Sequence, residues 1–341
     1  MAMESKGLRR RIMGVIGGLI GVNLLVWVWA ILSLRAHPVL LGTALLAYGF
    51  GLRHAVDADH IAAIDNVTRK LRGEGKRPLT VGLFFALGHS LVVILLSLGI
   101  ALGVSELGTH MEGLKGFGDV FGTLVSAAFL FAIAVVNVVA LAGIWQSFLR
   151  LRRGEALAEA DLDLLLAGRG LLARLFRPLF ALIRRPAHML PIGFLFGLGF
   201  DTATEVALLG MSAAQASSGV PLQTILVFPA LFTAGMTLVD TADGLVMLGA
   251  YDWAFAQPLR KLYYNLVVTG LSVLVAVLIG GIETLGLIGD QFGLSGPFWE
   301  AIGKLNDNFN LLGFVIVGLF LLVWAGAALV YRYAGIAALE E

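Results

Sequence analysis

The chain has 341 residues, 58% of them hydrophobic and only 14% charged, with a mean hydropathy of +0.89. Soluble domains carry about 45–50% apolar and about 25% charged residues, so this composition excludes a disordered chain, a nucleic-acid-binding arm and an ordinary soluble enzyme. Lys and Arg (24) nearly balance Asp and Glu (23) for a formal net charge of +1, and the lack of cysteine removes disulfides, thiolate metal sites and cysteine nucleophiles.

A membrane helix needs about 20 mostly apolar residues. Eight segments meet that requirement, at roughly 12–34, 38–65, 79–103, 120–148, 189–214, 221–250, 261–285 and 309–331. The first follows a basic stretch (Lys6, Arg9, Arg10, Arg11) like that of a signal peptide, but its apolar run is too long and has no small-residue cleavage site, so it reads as a retained span. The predicted fold class is therefore all-α: a polytopic integral membrane protein with eight transmembrane helices. The glycine content, 43 residues, suits closely packed helices, and Gly14/Gly18, Gly17/Gly21 and Gly193/Gly197 read as packing contacts that would also permit a homo-oligomer.

Basic residues collect in alternate connections: the N-terminus, 69–77, 150–185, 260–261 and Arg332. The other connections hold only Arg35, Lys115 and Lys304. The positive-inside rule then puts both N- and C-termini in the cytoplasm, which requires an even span number. The one long connection, at about 150–188, mixes leucines with arginines and predicts one or two short helices in the cytoplasmic interface. Residues 1–341 otherwise read as a single transmembrane domain.

Charge at mid-membrane is expensive and marks function. The second segment ends in Arg53-His54-Ala55-Val56-Asp57-Ala58-Asp59-His60, the third contains Leu87-Gly88-His89-Ser90, the fifth Asp201-Thr202-Ala203-Thr204-Glu205, and the sixth Asp240-Thr241-Ala242-Asp243. Seven acidic residues (Asp57, Asp59, Asp65, Asp201, Glu205, Asp240 and Asp243) face Arg53 as their one obvious cationic partner within the spans. Unpaired carboxylates in lipid need protons, water or a metal cation. Imidazole with carboxylate and no thiolate suits Ni²⁺, Co²⁺ or Zn²⁺.

On a straight helix His54 and His60 would lie about 9 Å apart along the axis, whereas metal–nitrogen bonds of about 2 Å demand close donors. The second span is therefore expected to be kinked or unwound near Gly49–His54, as transporter helices often are around an ion. The fifth and sixth spans need no break, because Asp201/Glu205 (i,i+4) and Asp240/Asp243 (i,i+3) already share a helix face. Asp65 and Asn66, near the basic connection, read either as site residues or as interface polar residues. His37, His110 and His188 fall in predicted loops and read as solvated.

These four motifs, in order and in four spans, resemble the nickel/cobalt transporter (NiCoT) family of secondary metal permeases. The R-H-A-x-D-A-D-H-I signature stands at Arg53–Ile61, L-G-H-S at Leu87–Ser90, L-G-F-D-T-A-T-E at Leu198–Glu205, and G-M-x-x-x-D-T-x-D-G at Gly235–Gly244. The resemblance implies high-affinity uptake of Ni²⁺, Co²⁺ or both across the cytoplasmic membrane. It implies that His54, Asp59 and His60 are required, with His89 close to the metal path and the carboxylates of the fifth and sixth spans acting in transport. The expected metal-handling set is thus His54, Asp57, Asp59, His60, His89, Asp201, Glu205, Asp240 and Asp243. The metal is cargo, and no resident cofactor, enzymatic activity or nucleic-acid partner is expected. Efflux of the same metals or uptake of Zn²⁺ is the competing reading. A zinc protease would want H-E-x-x-H and an ATP-driven pump a G-x-x-x-x-G-K-[ST] loop, and the sequence has neither.

Overall fold

The structure, a computed structural model, describes residues 2–35, 37–102, 105–152, 183–198, 203–254 and 258–333. Among the described residues there is no strand. The helices are α1 (Ala2–Leu34), α2 (Val39–His54), α3 (Ala58–Gly73), α4 (Val81–Ala101), α5 (Ser105–Arg152), α6 (Met189–Phe196), α7 (Ala203–Ser217), α8 (Leu222–Ile225), α9 (Val227–Ala254), α10 (Pro258–Gln291), α11 (Pro297–Asn306) and α12 (Phe309–Tyr333), with a 3₁₀ turn at Pro186–His188 before α6.

Among the described residues, five stretches are long and apolar enough to cross a membrane: Gly7–Leu34, Val81–Ala101, Val120–Gly143, Leu222–Asp252 and Leu266–Gln291. Two bent pairs, α2 with α3 at 53° and α11 with the Leu311–Val323 part of α12 at 73°, raise the number to seven. The fifth expected segment departs from the sequence reading. Its helix does not run unbroken: α6 ends at Phe196, Gly197 and Leu198 form a turn, and α7 begins at Ala203. Gly197 ends α6 hard against α4, where a Cβ would lie 2.7 Å from the His89 carbonyl oxygen. The interfacial helices expected at about 150–188 fall almost wholly outside the described residues.

Among the described residues, three apolar cores hold the bundle. One joins α1, α2, α4, α7 and α9 around Ala47, Ala86, Leu208, Phe228 and Phe232. A second joins α3 to α4 and α6 around Ile64, Leu71, Phe85 and Phe196. The third joins α3, α5, α9, α10 and α12 around Ile61, Leu130, Tyr251, Ala276 and Phe320. In lipid, helices associate through close van der Waals packing rather than through exclusion of water. Glycines provide that closeness at the crossings: a Cβ on Gly51 would collide with the Phe232 carbonyl, one on Gly82 with the Asp240 carbonyl, and one on Gly193 with the Phe85 carbonyl. The expected packing role of Gly193/Gly197 holds. Gly14, Gly17, Gly18 and Gly21 have nothing within 4 Å of the space a Cβ would fill, so they make no such contact among the described residues.

Polar ties gather the basic connections at one end. Arg72 pairs with Asp252, Lys70 donates to the Ile183 carbonyl at 2.6 Å and Lys76 to the Arg184 carbonyl at 3.0 Å. Just inside this end, Asp65 and Asn66 are buried rather than interfacial. Asp65 accepts from Tyr251 and from Ser272 at 3.1 Å. Asn66 accepts from Asn137 at 2.6 Å, and Arg69 reaches Thr269 at 2.8 Å. These bonds lace α3 to α5, α9 and α10.

A candidate metal site at a broken helix

The second expected span is broken, as the spacing of its histidines demanded. α2 stops at His54, residues 55–57 turn, and α3 starts at Ala58. The glycines singled out in the sequence are not the break itself: Gly51 lies inside α2 and serves the close contact with α9. Asp57 occupies the N-cap position of α3 with extended dihedrals (φ −64°, ψ 145°), but its carboxylate does not cap the helix. It turns back to His54, with Nδ1 to Oδ2 at 2.9 Å. The negative end of the α2 dipole and the acidic side chains at the start of α3 thus meet at the break, an arrangement that favours a cation there.

The bend converts sequence spacing into proximity. The ring centroids of His54 and His60 are 4.8 Å apart, and each lies 4.7 Å from that of His89 on α4. All three are buried, at 2%, 0% and 3% exposure. Each offers a ring nitrogen, and these nitrogens lie within 4.8 Å of one another. Nitrogen donors on one ion lie no more than about 4 Å apart, twice a metal–nitrogen bond, so the three rings would have to draw closer to share an ion.

Carboxylates surround the histidines. His60 Nδ1 faces both oxygens of Asp240 on α9, at 3.4 and 3.3 Å. His89 Nε2 lies 3.0 Å from Glu205 Oε1 on α7 and 2.8 Å from His54 Nε2. The Nδ1 atoms of His54 and His60 thus face the carboxylates of Asp57 and Asp240, to which the Nδ1–H tautomer of each ring would donate. That leaves the Nε2 lone pairs for a metal, the carboxylate–histidine arrangement common around bound metals. His60 Nε2 and His89 Nδ1 are buried and have no hydrogen-bond partner among the described residues. Phe85 packs edge-on against His60, with centroids at 4.8 Å, and Phe232 stacks obliquely on His54 at 5.6 Å. These rings exclude water and hold the imidazoles in place.

The expected metal-handling residues therefore divide. His54, His60 and His89 come together, and Asp57, Glu205 and Asp240 each contact one or two of them. Asp59 is half-buried at the start of α3 and takes no part in the hydrogen bonds of the cluster. Asp243 lies one turn beyond Asp240, with Oδ2 buried and without a hydrogen-bond partner among the described residues. Asp201 falls outside the described residues. Arg53 is exposed and forms none of the ion pairs seen. The solvated reading holds for His37, which is exposed, while His188 is half-buried and accepts from the Arg184 N–H at 3.2 Å. The sequence reading missed Glu283, 3% exposed on α10 and accepting from Ser126 at 2.9 Å. Its position inside the apolar segment 261–285 was the available signal.

A bundle of helices long and apolar enough to cross a membrane, with three buried histidines each beside a carboxylate, has the makeup of a membrane protein that handles a metal cation. Residues 40–330 match the family model NicO, high-affinity nickel-transport protein, and the chain belongs to that family. It is 59% identical over 314 residues to a "High-affinity nickel transport protein" of Cupriavidus necator, covering 92% of this chain and 90% of the relative. It is 50% identical over 306 residues to the "Nickel transporter NicT" of Mycobacterium tuberculosis, covering 89% and 82%. It is also 39% identical over 330 residues to the "Cobalt transport protein NhlF" of Rhodococcus rhodochrous, covering 94% and 92%. No solved structure matches the chain.

Proposed function

We propose that this protein is a secondary permease that takes up Ni²⁺, and also Co²⁺, across the cytoplasmic membrane, and that His54, His60 and His89 capture the ion. The observation that carries the reading is the convergence of three buried imidazoles from α3, α4 and the end of α2, on donors within 4.8 Å of one another. Nitrogen donors with carboxylate support and no thiolate suit Ni²⁺ and Co²⁺. The relatives named for nickel and for cobalt transport favour the same pair of ions.

We read the chain as a single domain of eight spans. α6 and α7 would supply the eighth beside the five long helices and two bent pairs. The alternation of basic connections supports cytoplasmic termini. Asp57 and Asp240 hold His54 and His60 as Nδ1–H tautomers, so their Nε2 atoms replace water on the incoming ion. Glu205, 3.0 Å from His89 Nε2, orients that imidazole or adds an oxygen donor. Asp59, Asp201 and Asp243 are assigned to the path into and out of this centre. The membrane potential drives inward movement, two charges across 100 mV being worth about 4.6 kcal/mol. The metal is cargo, and the protein needs no resident cofactor and performs no enzymatic reaction.

The test is uptake of radiolabelled nickel by cells expressing the protein, with cobalt and zinc as competitors. Wild type should accumulate nickel and His60→Ala should not, at equal amounts of membrane-inserted protein. Net loss of cellular nickel on expression would reverse the direction, and uptake retained by His60→Ala would refute the site.

A further inference from the structure

The break between α2 and α3 leaves backbone groups to be accounted for. The Val56 N–H donates to the Arg53 carbonyl at 3.1 Å, the Asp57 N–H to the His54 carbonyl at 2.9 Å, and the Ile61 N–H to the Asp57 carbonyl at 3.2 Å. Among the described residues, no backbone N–H donates to the Val56 carbonyl. A bare carbonyl inside an apolar bundle is costly, and irregular backbone at membrane depth persists only where protein covers it.

The cover comes from α12, a helix that carries none of the four motifs. A Cβ on Gly313 would collide with the Val56 carbonyl oxygen and lie 3.1 Å from Ile61 Cδ1. Gly313 is buried, and α12 packs along α3 at this point. Only a residue without a side chain lets one backbone approach another so closely, the kind of contact in which Cα–H groups face carbonyl oxygens across a helix crossing.

We propose that Gly313 is a positioning residue for the metal site: it seats α12 on the Val56 carbonyl and thereby holds the three-residue break that sets His54 against His60. The proposal rests on the transport reading given above. Any side chain at 313 pushes α12 and the break apart, and because the break is three residues long, that displacement passes directly to His54 on one side and to Asp57 and His60 on the other. The backing of His54 by Asp57 spans the break and is disturbed with it.

The variants are Gly313→Ala and Leu312→Val, the latter trimming a side chain of α12 that packs in the same apolar cluster as Val56 and Ile61, without adding a Cβ. The control is Gly318→Ala on the same helix, where nothing lies within 4 Å of the added Cβ. Nickel uptake kinetics, the cobalt-to-nickel competition ratio and nickel binding to the folded fraction purified in detergent are measured together. Gly313→Ala should raise KM and weaken nickel binding by about tenfold, the scale on which outer residues tune metal sites, and should shift the competition ratio. Leu312→Val should move the same quantities less, and Gly318→Ala should leave them at wild-type values. Wild-type KM, binding and competition ratio in Gly313→Ala would overturn the proposal, as would a loss confined to the amount of protein. If Gly313→Ala does not insert, Leu312→Val decides on the same terms. Failure of wild type to transport nickel would instead count against the transport reading, while nickel binding by the purified variants would still decide the role of Gly313.

Discussion

Replacing Asp240 with asparagine removes the charge behind His60 while keeping the size of the side chain. In the wild type, His60 Nδ1 shares its proton between two carboxylate oxygens at 3.4 and 3.3 Å, longer than the common N–H···O distance of about 2.9 Å. Outer partners of metal-binding histidines typically contribute 10–100-fold in affinity, and the long distances place this one near the lower limit, about tenfold or ~1.4 kcal/mol. A second effect adds to the first. An asparagine amide can donate to His60 Nδ1, which moves the imidazole proton to Nε2, the atom that must face the ion. Asp240→Asn should therefore raise the KM for nickel by at least about tenfold, with protein amount and thermal stability close to wild type because the fully buried ionised carboxylate is itself costly. Initial rates of radiolabelled nickel uptake over a concentration series, normalised to inserted protein, measure the effect. A KM within twofold of wild type would refute the assignment of Asp240 as the group that orients His60.

Two further outcomes follow from the same geometry. Gly51→Ala should destabilise the protein by roughly 1–3 kcal/mol, the usual cost of overpacking, because its Cβ meets the Phe232 carbonyl; Gly42→Ala on the same helix meets nothing within 4 Å and should be neutral in a detergent melting assay. A histidine must be unprotonated at the nitrogen that meets an ion, so protons compete with a divalent ion for the three imidazoles and lowering external pH should weaken apparent nickel affinity. The sign follows from the direction of proton release, and a nickel KM that stays flat or falls between about pH 8 and about pH 6 would contradict it.

Much of the site was legible in the linear chain because lipid forbids most charge, so each ionisable residue inside an apolar segment stands out. His54, His60, His89, Glu205 and Asp240 were all found that way. Asp57 was identified too, though nothing in its spacing indicated that it would give up capping α3 to hold His54. The need for a break was also readable, because six residues of straight helix separate His54 and His60 by about 9 Å. Glu283 obeys the same rule as the one acidic residue of the segment 261–285, yet it was not among the residues singled out.

By itself, the sequence determined the helical class, the alternation of basic connections and the ligand chemistry, since hydropathy, charge and residue type are local quantities. Only the tertiary structure decided where span two breaks, that Gly51 packs rather than bends, that Asp240 and not Asp243 meets His60, and that α12 covers Val56. Those outcomes depend on which backbones cross and how closely, and crossing distances are set by pairs of residues far apart in the chain. A glycine reads the same in the sequence whether its missing side chain makes room for a neighbouring helix, as at Gly313, or leaves open space, as at Gly318.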